Sequence, residues 1–348
     1  MSEGPDDEGR AFVLDLLAGR CRAQAVSTAA ALGLADRLAA GPRGAAELAA
    51  ELGCDAPSLQ RLLELLAGLG VCQETSGGRF ALAPRGRALR SDALGPLAAF
   101  LGMPATWDAW SRLPDALRAG SAVAFERAHG AGLYAFLGRH PDVALAYDRA
   151  IDAYSRAETE ALCARLDLSA AERIVDVGGG RGALLVGLLQ RWPRLRGVLV
   201  ELPHVAARVR PRLESEAPGR IEVVEGDYLE SLPRGADVYL LKHIVHNLDD
   251  ARATALLRRV AEALAPDGRV LVVEAVLVPA DHGNAARLLD LEMLVLTGGR
   301  ERRKPEWRRL FRAAGLHASR VEPLTPQCWL ITGTRPRVGR GQSGRAIS

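Results

Sequence analysis

From Phe12 to Leu38 apolar residues recur at helical spacing, at Phe12, Leu16 and Leu17 and then at Val26, Ala29, Ala30, Leu34 and Leu38. The pattern predicts two or three short amphipathic helices. A turn at Gly41-Pro42-Arg43-Gly44 leads into two more, AAELAAELG at 45–53 and APSLQRLLELLAGLG at 56–70, with Ser58 near the start of the second. VCQETSGGRFAL at 71–82 then holds two short β-prone runs joined by Ser76-Gly77-Gly78, a hairpin signal. Helix, turn, helix and hairpin in that order predict a winged helix. Residues 91–155 read as a helical connector rich in aromatics, from Phe100, Trp107 and Trp110 to Tyr147 and Tyr154. Such side chains either fill a core or line a pocket for an aromatic ligand.

After Leu168-Ser169 strands alternate with helices: RIVDVG at 173–178, GVLVEL at 197–202, IEVVEG at 221–226, ADVYLLKHIV at 236–245 and RVLVVEAVLV at 269–278. This predicts an open α/β sheet built from β-α-β units. The expected division is a disordered N-terminus at 1–10, a winged helix at 11–95, the connector at 96–168, the α/β domain at 169–335 and a disordered Gly/Arg-rich tail at 336–348.

A chain of 348 residues with 48% hydrophobic and 25% charged content can bury one large core and a smaller satellite. The formal charge of +3 is dispersed along the chain, which argues against nucleic acid as substrate. The winged helix itself invites a DNA-binding reading, but its second helix offers only Arg61 as a basic contact. Arg85, Arg87 and Arg90 follow the hairpin, where solvated surface is the commoner fate of such a cluster. Dimerisation is the better role for the module. The five scattered cysteines show no zinc or disulfide spacing and read as small buried hydrophobes in a reducing compartment. No secretory pattern or membrane-length apolar run occurs, so a cytoplasmic protein is expected, with no membrane partner.

Strand RIVDV runs directly into Gly178-Gly179-Gly180-Arg181-Gly182, where glycines let backbone approach a ligand and a following helix presents free N–H groups. The spacing of Gly178, Gly180 and Ala183 also fits a dinucleotide fingerprint. Asp176 separates the two, because a carboxylate there repels a pyrophosphate and attracts a cationic amino acid or sulfonium. Glu201, at the end of the second strand, can accept from both ribose hydroxyls. Asp227, after the third, is placed for an adenine amino group, with Tyr228 beside the ring. Three acids at three successive strand ends describe a nucleoside that carries positive charge. Lys242, at the end of the next strand, serves either that site or solvent.

In LLKHIVHNLDD at 240–250 a strand is expected to give way to a helix bearing His243 and His246. The two could share a metal, but no third ligand has suitable local spacing, and one histidine as acid or base is the better reading. His243 is expected to be structural and to point away from His246.

The runs DVGGGRGALL, VLVELPHV, EGDYLESLP, LLKHIVHNLDD, VVEAVL and LTGGRERRKPEWRRLFRAAGL resemble the plant caffeic-acid and bacterial antibiotic small-molecule O-methyltransferases. The likeness covers about residues 12–333. It implies a Rossmann-like class I methyltransferase domain behind an N-terminal, mostly helical winged-helix dimerisation domain, and so a homodimer. It implies S-adenosylmethionine as donor, S-adenosylhomocysteine as product, no metal, and a small aromatic acceptor with a phenolic hydroxyl. Gly178, Gly180, Asp176, Glu201, Asp227, Tyr228 and Lys242 then surround the donor, and Ser155 lies near its methionine carboxylate. His246 falls on the family's general base, and Glu274 and Glu301 on the two carboxylates that flank it. Two departures stand out: Glu201 replaces the commoner Asp, and Asn247-Leu248 replaces an Asp-Trp pair. Relatives that hydroxylate or decarboxylate with the same donor site, and a winged-helix regulator, are the rival readings.

Overall fold

The computed structural model describes residues 5–120, 124–279 and 285–336. The expected disordered tail therefore lies almost wholly outside the described residues, as does the start of the N-terminal segment. The chain divides into two units, residues 1–113 with 125–156, and residues 114–124 with 157–348.

The first unit opens with α1 (Pro5–Ala31) and α2 (Leu34–Ala39). One 27-residue helix thus replaces the expected series of short ones, and residues 5–10 are helical where disorder was expected. Gly9 and Gly19 lower helix propensity but neither is accompanied by proline, so the helix runs on until Gly33 turns the chain in left-handed conformation, φ 61°. β1 (Arg43–Gly44), α3 (Ala45–Leu52), α4 (Ala56–Gly68), β2 (Cys72–Thr75) and β3 (Arg79–Leu82) follow. The Asp55 side chain caps α4 by accepting the Ser58 N–H at 2.9 Å. The hairpin closes through a three-residue loop, residues 76–78, in which Gly77 and Gly78 both take the positive φ that glycine adopts freely. The three strands pair antiparallel in the order β1-β3-β2, with Cys72 opposite Leu82 and Arg43 opposite Phe80. Leu34, Leu48, Leu63, Leu66 and Phe80 form the core, so the winged helix is present as expected. In the cluster of basic residues behind it, Arg90 pairs with Asp36 and Asp92.

The connector forms α5 (Gly95–Leu101), α6 (Pro104–Ser111), α7 (Leu113–Ala119), α8 (Ala124–His129), α9 (Leu133–Arg139) and α10 (Pro141–Arg165). Its aromatics pack on one another: Phe100 meets Tyr147 edge-on at 5.5 Å, and Phe125 meets Phe136 at the same distance.

The second unit contains β4 (Arg173–Val177), α11 (Ala183–Arg191), β5 (Arg196–Glu201), α12 (Pro203–Glu216), β6 (Ile221–Glu225), β7 (Ala236–Lys242), α13 (Asp250–Ala263) and β8 (Leu264–Glu274). After them come β9 (Val276–Leu277), α14 (Ala285–Leu296), β10 (Arg302–Arg303), α15 (Lys304–Ala313), β11 (His317–Pro323) and β12 (Trp329–Thr334). Seven strands form one sheet in the order β11-β12-β8-β7-β4-β5-β6. β4 to β8 run parallel, and β12 and β11 complete the sheet antiparallel. The central strands are mostly apolar because helices cover both faces. The chain leaves β4 to build β5 and β6 on one side, then returns to build β7 and β8 on the other. That reversal opens a crevice beyond the carboxyl ends of the parallel strands, where open sheets take ligands.

Of the five cysteines only Cys72 and Cys328 are buried; Cys21 is exposed on α1 and Cys54 and Cys163 are half-buried, which corrects the expectation of five buried thiols. No helix among the described residues is long and apolar enough to cross a membrane.

Gly86 is a sensitive point of the winged helix. A Cβ there would sit 1.9 Å from the Val71 carbonyl oxygen, a backbone atom that cannot swing aside. Gly86→Ala should cost about 1–3 kcal/mol of stability, read as an earlier midpoint in urea unfolding followed by circular dichroism.

Candidate active site

The sheet brings the predicted residues to one edge. Asp176 lies in β4, Glu201 ends β5, Asp227 follows β6, Lys242 ends β7 and Glu274 ends β8. Gly178, Gly180 and Gly182 all take positive φ, at 65°, 58° and 74°, so the loop after β4 follows a path that only glycine takes freely. A Cβ at Gly178 would strike Ile244 at 2.5 Å and touch Tyr228 at 3.4 Å, whereas at Gly180 it would meet open space. The loop is therefore packed on its inner side and bare on its outer side.

Of the acids around it, Glu201 holds the loop. Glu201 Oε1 accepts the Gly180 N–H at 2.7 Å and Oε2 accepts that of Leu202 at 3.0 Å. Asp227 Oδ1 accepts the Leu229 N–H at 2.7 Å. Asp176 is 1% exposed, and its Oδ2 accepts no hydrogen bond. Burial pushes its carboxyl up to about 7, although the Lys242 charge works against that. An acid so placed, with Lys242 as a nearby positive charge but no hydrogen bond at Oδ2, would be further stabilised as a carboxylate by a cationic ligand. Ser155 is buried on α10 in the first unit.

The second cluster stands at the ends of β7 and β8. His243 has φ 56°, the one side-chain-bearing residue in left-handed conformation among the described residues. It is not helical, and His246 sits on a single 3-10 turn, Val245–Asn247, rather than on the expected helix; α13 starts only at Asp250. The reversal at His243 points three successive N–H groups at one atom. Glu274 Oε1 accepts from Ile244 at 3.0 Å, Val245 at 2.8 Å and His246 at 3.2 Å, a backbone nest filled by a carboxylate. Glu274 Oε2 then lies 3.3 Å from His246 Nδ1, and Glu301 Oε1 lies 2.7 Å from the same nitrogen. Both glutamates are 0% exposed.

His246 Nδ1 thus faces two carboxylates, while its Nε2 has no hydrogen-bond partner among the described residues. Burial disfavours the charged ring, yet Glu274 and Glu301 outweigh it and His246 is pushed up to about 9. Glu274 is itself raised, by burial first and by Glu301, with His246, His243 and the His246 N–H opposing. His243 does not point away. Its ring lies 5.2 Å from that of His246, and its Nε2 bonds Glu158 Oε2 at 2.7 Å. Burial works against the Glu158 charge, but His243 and Lys242 hold its carboxyl below the usual range. Two groups have donor atoms close enough for a metal, Glu158 with His243 and Cys328, and His243 with His246 and Glu274. The third ligand for the second group comes from strand β8 rather than from local spacing. In both groups, however, imidazole nitrogens already face carboxylates, which makes them acid–base pairs first.

Two contributors were invisible beforehand. Glu158 reads as an exposed helix glutamate, though it lies four residues before fully buried Leu162 on one face of α10. Gly299 packs on the His246 backbone, since a Cβ there would fall 1.7 Å from the His246 carbonyl oxygen.

The chain matches the model of the O-methyltransferase domain over residues 110–317 and that of the O-methyltransferase dimerisation domain over 14–92. It is 37% identical to the mitomycin biosynthesis 6-O-methyltransferase of Streptomyces lavendulae, over 92% of this chain and 94% of that one. The solved structure of the mitomycin 7-O-methyltransferase MmcR superposes with TM-score 0.88 at 35% identity, covering 94% of this chain and 98% of the other. The neocarzinostatin O-methyltransferase NcsB1, solved with S-adenosylmethionine and 2-hydroxy-5-methyl naphthoic acid, superposes with TM-score 0.78 at 34% identity, covering 90% and 96%.

If Asp176 is the counter-charge for the donor, affinity for S-adenosylmethionine should fall as pH drops through about 7, where this carboxyl takes up a proton. Titration calorimetry between about pH 5.5 and 8.5 reads this. Asp176→Asn should bind weakly and lose the dependence; an unchanged pH dependence in that variant would remove Asp176 from the role.

Proposed function

This chain belongs to the S-adenosylmethionine-dependent O-methyltransferase family, and from that premise we propose that it methylates a phenolic hydroxyl of a small aromatic or polyketide-derived metabolite with His246 as general base. The single observation that carries the role of His246 is its buried Nδ1 between Glu274 and Glu301. That arrangement fixes the tautomer with hydrogen on Nδ1 and leaves the Nε2 lone pair for the acceptor's proton.

The donor, when bound, supplies an electrophilic sulfonium methyl. The chain supplies the cradle: we assign Asp176 and Lys242 to its charged tail, with Ser155 near the carboxylate. Gly178 and Gly180 give close backbone approach, Glu201 takes the ribose hydroxyls, and Asp227 with Tyr228 takes the adenine. The aromatic side chains between Phe100 and Tyr154 are assigned to the acceptor. Holding both reactants together supplies much of the acceleration. A cytoplasmic location is proposed on the scattered cysteines, none in a disulfide among the described residues.

The raised basicity of His246 suits a phenol. A phenol ionises near 10, so transfer to an ordinary imidazole at about 6.5 is uphill by roughly 5 kcal/mol. Transfer to a ring held at about 9 is uphill by only about one unit, roughly 1.4 kcal/mol. The remaining cost appears as the need to empty the ring first: at pH 7 a group titrating near 9 is free base about one time in a hundred. The sign follows directly, since the active form is the deprotonated one. Turnover per substrate encounter, kcat/KM, should climb close to tenfold per pH unit from about pH 7 and level off near 9. Glu301→Gln, which removes one of the two charges, should move that limb to lower pH. Separately, His246→Ala should cut turnover by about two orders of magnitude or more while S-adenosylmethionine affinity stays within about twofold. Wild-type turnover in that variant would sink the base assignment.

A further inference from the structure

We propose that Arg302 is a positioning residue for the base, holding the carboxyl-terminal side of the turn that carries His246 while Glu274 holds its amino-terminal side. This rests on the reading of His246 as general base. Arg302 is 0% exposed. Its Nη1 donates to the Val245 carbonyl at 3.0 Å, its Nη2 to the Leu248 carbonyl at 2.7 Å and its Nε to Asp250 Oδ1 at 2.8 Å. The guanidinium carbon lies 5.7 Å from the centre of the Trp307 ring. The two carbonyls belong to the residue before His246 and to the residue that ends its turn.

A one-turn 3-10 helix has almost no internal hydrogen bonding to keep its shape, so its N–H groups at one end and its carbonyls at the other need outside partners. Here both ends find a buried charge of the matching sign: Glu274 collects three N–H groups and Arg302 collects two carbonyls. The His246 carbonyl between them accepts the Arg300 N–H at 2.8 Å. The ring hangs from backbone pinned on both sides, with its Nδ1 2.7 Å from Glu301.

Glu301 and Arg302 are neighbours at the start of β10, whose register against β9 puts Arg302 opposite Val276. Successive side chains on an extended segment point to opposite sides. One short segment therefore delivers the carboxylate to the ring and the guanidinium to the backbone beneath it. Lysine could not replace the arginine, because two carbonyls and a carboxylate must be met at once by a planar fork.

The test is a double-mutant cycle on full-length enzyme with Arg302→Lys and His246→Ala, measured with a phenol that the wild type turns over. Arg302→Lys alone should lower kcat by 10-fold or more with KM and S-adenosylmethionine affinity within about threefold. Its pH limb should move toward the ordinary imidazole range, because a slack turn carries Nδ1 away from its carboxylates. Added to His246→Ala, it should cost nothing further, since there is no ring left to position. Should Arg302→Lys fail to fold, Asp250→Asn, which removes the carboxylate charge at the Nε end of the clamp and beside Arg300, should show the same pattern at smaller amplitude. An equal loss of kcat with or without His246, or a folded Arg302→Lys with wild-type kcat and pH limb, overturns the proposal. If His246→Ala alone keeps wild-type turnover, what fails is the base assignment, and the cycle tells the two failures apart.

Discussion

The acceptor half of this site depends on one buried carboxylate. Glu274 closes strand β8 at the edge of the sheet, and its two oxygens do separate work. Oε1 gathers the three N–H groups of residues 244–246, and Oε2 stands beside the His246 ring. Leaving a carboxylate in a dry interior is costly unless it is hydrogen-bonded and paired, and here the turn itself provides the bonds. The turn can do so only because His243 adopts a left-handed backbone, which costs about 1 kcal/mol or more for a residue with a side chain. That strain is held by the His243–Glu158 pair and by the Asn247 side chain on the His243 carbonyl at 2.9 Å. Asn247, one of the two departures from the family pattern, thus has a structural task of its own.

The donor half rests on topology. Parallel strands end at the same edge, so a residue at each carboxyl end reaches the same crevice whatever the helices between them do. This is why Asp176, Glu201 and Asp227 could be grouped from sequence: each follows an apolar run by zero to two residues. The same edge carries Glu274 and the His246 turn, so one sheet sets the glycine loop and its acids in register with the buried imidazole. The two halves differ in charge logic. Asp176 Oδ2 accepts no hydrogen bond, whereas His246 Nδ1 already faces two carboxylates.

What the sequence disclosed follows from the range of the interactions. The strands, the glycine loop and the winged helix are local patterns of period two or 3.6 and were legible. The placement of His243 and His246 on a helix was not correct, because the spacing of two histidines says nothing about a positive φ at the first of them. Glu274 and Glu301 are 28 and 55 residues from His246, and only the resemblance to a family connected them to it. Glu158 and Arg302 escaped because a charged residue in a polar run reads as solvated surface, and its burial is decided by tertiary packing. The unbroken α1 was misread for a related reason: glycines that weaken an isolated helix do not end one in a folded protein.

The first unit poses a question that intrachain packing does not answer. On α1, Phe12, Val13, Leu14, Leu16 and Leu17 are each at least half exposed. At about 100° per residue these five positions sweep roughly 200° of the helix surface. A helix that lies against a single flat partner needs an apolar stripe of little more than 100°. A wider apolar surface is satisfied only if the helix is embraced from more than one side, and this segment falls at the start of the region matched by the dimerisation domain, residues 14–92. The amino-terminal half of α1 therefore carries an apolar surface that its own unit leaves uncovered, at the start of the region that matches the dimerisation domain.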